Sequence, residues 1–158
     1  MKVLGGRGGV PVEVLLVEDS PGDARLTEET LRDAERAIHL HVVTDGVEAM
    51  AFLQRQGIHT QAPRPGLILL DLNLPKMDGR EVLAQIKADD SLRTIPTIVL
   101  TTSASEADIV KSYQLQANCY LCKPVQLTEF ESLVRSINDF WLTKAKLPAG
   151  DSSGWPRI

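Results

Sequence analysis

Aromatic residues make up only 4% of the 158-residue chain, and cysteine occurs twice. No apolar run approaches the roughly 18–20 residues that a membrane span needs, so the reading includes no membrane partner. Nor is there an excess of positive charge. Lys and Arg number 17 against 21 Asp and Glu, interspersed, for a net charge of -4. Such a surface offers no general attraction to phosphate backbones, which argues against nucleic acid as a direct partner. The opening Met1-Lys2-Val3-Leu4-Gly5-Gly6-Arg7-Gly8-Gly9 is too short and too glycine-rich for a signal peptide, and it lacks the Gly-Lys-Ser/Thr ending of a P-loop. The protein is read as cytoplasmic. The two thiols, Cys119 and Cys122, form a C-x-x-C inside an apolar segment. On a strand, positions three apart point to opposite faces, and no second Cys or His pair completes a zinc site. They are expected to be buried, reduced thiols.

What remains is the composition of a soluble globular protein, 43% hydrophobic and 24% charged. The length suits one domain with a substantial core and is too short for two ordinary ones. Residues 1–11 read as a flexible leader. Val12-Glu13-Val14-Leu15-Leu16-Val17 is a β-branched apolar run stopped by Glu18-Asp19-Ser20-Pro21, hence a buried strand followed by a helix start. Leu26, Thr30, Leu31 and Ala34 recur at helical spacing within residues 22–37. The same alternation continues: a strand at 38–43, a helix at 47–56, a loop at 57–66, and a strand at 67–70. A helix with Val82, Leu83 and Ile86 on one face follows, then a strand at 96–100, a helix at 105–116 and a strand at 119–122. The last helix, residues 127–144, carries Phe130, Leu133, Val134, Ile137 and Trp141 at spacings of three and four. Strands alternating with helices imply βαβ units and a parallel sheet covered on both faces. The predicted class is α/β: a five-stranded, doubly wound parallel sheet, a (βα)5 flavodoxin-like three-layer sandwich.

In open parallel α/β sheets the functional site lies beyond the carboxyl ends of the strands. Those ends carry Glu18-Asp19, Asp71, Thr101 and Lys123. Polar residues at strand ends are ordinarily solvated loop residues, but here three carboxylates, a hydroxyl and an ammonium arrive at one edge. Clustered carboxylates repel, so ionising all three needs a cation or costs a raised pKa. Hard oxygen donors without Cys or His favour Mg²⁺ over zinc. A carboxylate beside Mg²⁺ and a lysine can attack an activated phosphorus to form an aspartyl phosphate.

The set Val17-Glu18-Asp19, Leu70-Asp71-Leu72-Asn73-Leu74-Pro75, Asp78-Gly79, Leu100-Thr101 and Lys123-Pro124 resembles the receiver domain of two-component response regulators, over roughly residues 12–143. More narrowly, the stretch from Leu69 to Glu81, with Val99-Leu100-Thr101-Thr102-Ser103 and Phe140-Trp141-Leu142, is similar to the stand-alone regulators paired with bacterial and cyanobacterial phytochrome histidine kinases. The resemblance implies that residues 12–144 form the receiver domain and that Asp71 accepts a phosphoryl group from a phosphohistidine on a sensor kinase. It implies Mg²⁺ held by Asp19, Asp71 and the Asn73 backbone carbonyl, with Glu18 acting largely through bound water. Lys123 would pair with a phosphoryl oxygen, and Lys123-Pro124 would be a cis peptide that aims it. Thr101 would move to the phosphoryl group and Tyr120 would rotate inward behind it. Asn73 and Ser103 would flank the path of the hydrolytic water.

A helical pair Phe140-Trp141, continued by Leu142, Leu147 and Pro148, suggests an apolar surface for a homodimer. Residues 145–158 read as a tail, disordered over Gly150-Asp151-Ser152-Ser153-Gly154. Asp78-Gly79 reads as the turn before the third helix, and the scattered His39, His41 and His59 receive no role. Output through protein contact, without enzymatic turnover, is the leading expectation, since few residues follow the last helix. Two alternatives compete with it. A haloacid-dehalogenase-like phosphohydrolase would need a second Asp where Asn73 stands, and a degenerate scaffold would not need the full set of site residues.

Overall fold

Side chains alternate along each strand, and that alternation builds both faces of the sheet. The computed structural model describes residues 1–6 and 9–148. The strands are β1 (Lys2–Leu4), β2 (Val12–Val17), β3 (Ile38–Val43), β4 (Leu67–Leu70), β5 (Thr97–Thr101) and β6 (Cys119–Cys122). Between them run α1 (Pro21–Leu31), α2 (Gly46–Leu53), α3 (Gly79–Ala88) and α4 (Glu106–Gln114), with α5 (Leu127–Asp139) after β6. Val12, Val14, Leu16, Leu67, Leu69, Ile98 and Leu100 point to one face, where Leu31 of α1 and Phe130, Val134 and Ile137 of α5 cover them. Leu15, Val17, Ile68, Leu70 and Val99 point to the other, under Ala49, Met50 and Leu53 of α2 and Val82, Leu83 and Ile86 of α3. Each such fully buried side chain stabilises the fold by about 1.5–3 kcal/mol.

The sheet order is β1-β3-β2-β4-β5-β6, with β2 to β6 mutually parallel. It corrects the expected five-stranded sheet: Lys2–Leu4, within the expected leader, adds a sixth strand antiparallel to β3, pairing Lys2 with Leu40 and Leu4 with Ile38. Three residues are too few to show periodicity; the strand exists because β3 offers it an open edge and Leu4 a place in the core. Gly5 then turns the chain at φ 73°, and a Cβ there would sit 2.2 Å from the Arg36 carbonyl oxygen.

Chain connectivity reverses direction between β2 and β4, so the switch-point crevice opens at their carboxyl ends. Helix starts around it are capped by side chains: Ser20 accepts from the Asp23 N–H, Asp45 from Glu48, Asp78 from Arg80 and Ser105 from Asp108.

At its end, α5 does not continue as α-helix to residue 144. Phe140–Lys144 form a π-turn, in which the Ala145 N–H donates to the Phe140 carbonyl at 2.7 Å. That extra residue turns Leu142 fully inward, and Trp141 and Leu147 pack on the same core as α5. Of the apolar residues expected to extend beyond the domain, Trp141, Leu142 and Leu147 therefore complete it, while Phe140, 54% exposed, and Pro148 face outward. Both cysteines are free, but they are not both buried. Cys119 is half-buried, while Cys122 is exposed, because β6 is an edge strand that no further strand covers among the described residues. Residues 150–154, expected to be disordered, lie outside the described residues. Among the described residues no helix is long and apolar enough to cross a membrane.

Candidate functional site

Strands β2, β4, β5 and β6 deliver their terminal residues to one pocket. Asp71, buried directly after β4, holds its two carboxylate oxygens in different environments. Oδ1 accepts the Thr101 hydroxyl at 2.8 Å and the Asn73 backbone N–H at 3.1 Å. Oδ2 accepts the Lys123 ammonium at 2.9 Å. Thr101 is fully buried at the end of β5, and its carbonyl accepts the Lys123 N–H at 2.7 Å, which fixes the start of the lysine's reach.

The Lys123 ammonium also donates to Glu18 and, at 3.0 Å, to Asp23 in the first turn of α1. Glu18 is buried, with its second oxygen on the Ser20 N–H at 3.2 Å, whereas Asp19 beside it is exposed. Oxygens of Glu18, Asp19 and Asp71 all lie within 4.8 Å of one another. Three acidic side chains thus share a single ammonium, with Asp19 beside them. The sequence reading missed Asp23. Its position one turn into the helix that Ser20 caps was the available signal, but a helical Asp reads as an ordinary first-turn acid.

Electrostatics follow from this arrangement. Burial would raise the Asp71 pKa, yet the Lys123 hydrogen bond and charge, then Thr101, outweigh it and hold Asp71 below the usual carboxylate range. For Glu18 burial prevails, and its pKa is pushed up to about 7 despite Lys123. Burial would likewise depress Lys123, but Glu18 and Asp71 hold it above its ordinary value. Burial comes first in keeping Glu18 from ionising, and the neighbouring Asp71 charge adds to it. Three convergent oxygens with no nitrogen or sulfur donor fit a hard divalent cation such as Mg²⁺.

The remaining predicted residues fall around this pocket. Asn73 is exposed and contributes its backbone N–H to Asp71. Tyr120 packs against the core over α2 and α3, and its hydroxyl donates to the Ser103 carbonyl at 2.9 Å. Lys123 carries its ammonium into the pocket from just beyond β6, with Pro124 next in the chain. Gly79 lets the loop close on itself, since a Cβ there would lie 2.2 Å from the Asp71 carbonyl oxygen. The histidines sit elsewhere. His39 Nδ1 and His41 Nε2 meet the Glu13 carboxylate at 2.7 and 3.0 Å, toward the opposite end of the strands.

Comparison with known proteins agrees with this geometry. Residues 14–135 match the response regulator receiver domain. The chain belongs to that family. Over 139 residues the receiver is 52% identical to the response regulator Rcp1 of Synechocystis sp., covering 88% of this chain and 95% of the relative. A crystal structure of the Mn²⁺-bound form of Rcp1 superposes with a TM-score of 0.87, covering 88% of this chain and all of that one. The phosphorylated cyanobacterial phytochrome response regulator RcpA is 48% identical, with a TM-score of 0.87 over 89% of this receiver and the whole of its own chain.

Proposed function

We propose that this receiver accepts a phosphoryl group on Asp71 from the phosphohistidine of a phytochrome-type sensor histidine kinase and signals by protein–protein contact. The observation that carries the reading is the asymmetric hold on one buried carboxylate, with Thr101 and Asn73 on Oδ1 and Lys123 on Oδ2. Being held ionised, Asp71 keeps a lone pair available for attack at phosphorus. As the new O–P bond forms, the P–N bond to the donor imidazole breaks and its electron pair returns to the ring. Lys123 and the Thr101 hydroxyl would supply the transferred oxygens with positive charge and a donor. Glu18, Asp19, Asp71 and the Asn73 carbonyl would hold Mg²⁺, which when bound neutralises phosphoryl charge. RcpA, a phytochrome response regulator, supports the partner class, and the Mn²⁺ bound by Rcp1 supports a divalent cation.

Incubation with acetyl phosphate should label the protein only when Mg²⁺ is present. Chelation should stop labelling while leaving the circular dichroism spectrum folded. Undiminished labelling in chelator would remove the metal from the reaction.

The reading includes a homodimer through the outward face of the α5 terminus. There Phe140 stands edge-on to Trp141, ring centroids 5.4 Å apart, and exposes its own ring. Phe140→Ser should weaken self-association about tenfold, as expected for an interface aromatic. Sedimentation equilibrium with an unchanged dimer constant would place the interface elsewhere.

A further inference from the structure

An ion-pair network joins α3 to α4 beside the site, and none of the chemistry above uses it. Arg80, the second residue of α3, meets both oxygens of Asp108 on α4, with Nε and Nη2 at 2.8 and 2.7 Å. Its Nη1 also reaches Asp78 at 3.1 and 3.0 Å. Asp108 accepts a further bond, from the Ser103 hydroxyl at 2.6 Å. Through its carbonyl, Ser103 receives the Tyr120 hydroxyl at 2.9 Å, and through its own oxygen it accepts the Ser105 N–H at 3.3 Å. The side chains of Asp108 on α4 and Tyr120 on β6 therefore meet at one residue of the β5–α4 loop, Ser103, two positions after Thr101, and Arg80 of α3 reaches it through Asp108.

This pair differs from the surface ion pairs of the same molecule. Arg25 and Glu29 touch through one nitrogen with side chains 78% and 53% exposed, whereas Arg80 and Asp108 are 31% and 20% exposed and doubly bonded. Exposed single contacts contribute little; a planar fork on a carboxylate fixes geometry as well as charge. The Arg80 guanidinium, then the Ser103 hydroxyl, hold the Asp108 pKa down at about 2, so the clamp stays charged throughout the neutral range.

We propose that Arg80 is a positioning residue for phosphoryl binding: by clamping Asp108 it fixes Ser103, and with it the loop that aims Thr101 at Asp71 and gives Tyr120 its partner. The inference rests on Asp71 being the phosphoacceptor. A loop ordered in advance adds no ordering cost when the phosphoryl group arrives; a loop released from Asp108 does. The carboxylates that would hold the metal hang from β2 and β4, and only Asp71 among them touches Thr101, so the effect falls mainly on the phosphoryl group.

Trifluoroberyllate, a phosphoryl mimic, separates these possibilities when titrated in saturating Mg²⁺ by fluorine NMR, with Mg²⁺ affinity measured in parallel. Arg80→Ala should weaken trifluoroberyllate binding about five- to tenfold, within the range usual for coupled sites, and change Mg²⁺ affinity far less. Arg80→Lys should recover only part of the loss, because an ammonium cannot make the double contact. In a Tyr120→Phe background the Arg80→Ala effect should shrink, since one of the links through Ser103 is already cut. Asp108→Asn provides the same measurement if Arg80→Ala does not fold. Equal trifluoroberyllate affinities in wild type and variant, or equal losses for mimic and metal, overturn the positioning role. A wild-type protein that binds Mg²⁺ but no mimic overturns the phosphoacceptor reading, and the role of Arg80 with it.

Discussion

Asp71→Asn should reduce phosphoryl incorporation from acetyl phosphate to background while the domain stays folded. A carboxamide oxygen is a poor nucleophile, so the O–P bond has no other group at this position from which to form. The fold should tolerate the change, because Asn at 71 retains an acceptor for the Thr101 hydroxyl and the Asn73 N–H. Lys123 also keeps Glu18 and Asp23 as partners. The substitution removes one negative charge from a pocket where three acids share one ammonium. Asp71 is among the influences that raise the Glu18 pKa, so Glu18 should move down from about 7 in the variant. Mg²⁺ affinity should fall at the same time, since one of the three convergent oxygens is now neutral. Mass spectrometry of the intact protein reads the first outcome, and carboxyl titration by NMR the second. Stable, Mg²⁺-dependent labelling of the Asn variant would mean that another residue is the acceptor.

Lys123→Met should abolish phosphorylation as well, but with the opposite effect on the metal-free protein. The ammonium is nearly inaccessible, and it is the only cation bonded to Glu18, Asp23 and Asp71 among the described contacts. Removing one partner of a buried ion pair leaves uncompensated charge and costs on the order of 3 kcal/mol. Its pH dependence has a definite sign. Burial lifts Glu18 to about 7 in the fold against an ordinary value of 4.5, so between these values the native state holds more protons than the unfolded chain. Stability therefore falls as pH rises through that window. Lys123 lowers the Glu18 pKa, so its loss widens the window upward and enlarges the total fall. Thermal melts without metal should show the variant more stable at pH 5 than at pH 8, by a larger margin than wild type. Mg²⁺ should restore much of the stability at pH 8, because the cation supplies the missing positive charge. A melting temperature independent of pH and of Mg²⁺ would show that Lys123 does not neutralise this cluster.

Much of this site was legible because strand ends are legible. The apolar runs at 12–17 and 67–70 stop abruptly at Glu18 and Asp71, and in a parallel sheet the carboxyl ends of neighbouring strands must share an edge. Thr101 and Lys123 follow by the same rule. Asp23 did not, because a first-turn acid on a helix has a sufficient local reason to be there. β1 did not either, since three residues carry no period and their strand is defined by a partner distant in sequence. At the other end, spacings of three and four carry the helical pattern through Trp141, and nothing local marks the π-turn that buries Leu142.

Periodicity and strand-end chemistry by themselves determined the doubly wound architecture and the residues delivered to the crevice, because both are properties of neighbours along the chain. Folding alone decided that Lys123 is shared among three carboxylates, that Glu18 titrates near neutrality, and that Arg80 grips Asp108 across 28 positions of sequence. Those outcomes depend on distance and on exclusion of water, and neither has a value until the sheet and its helices have closed around the site.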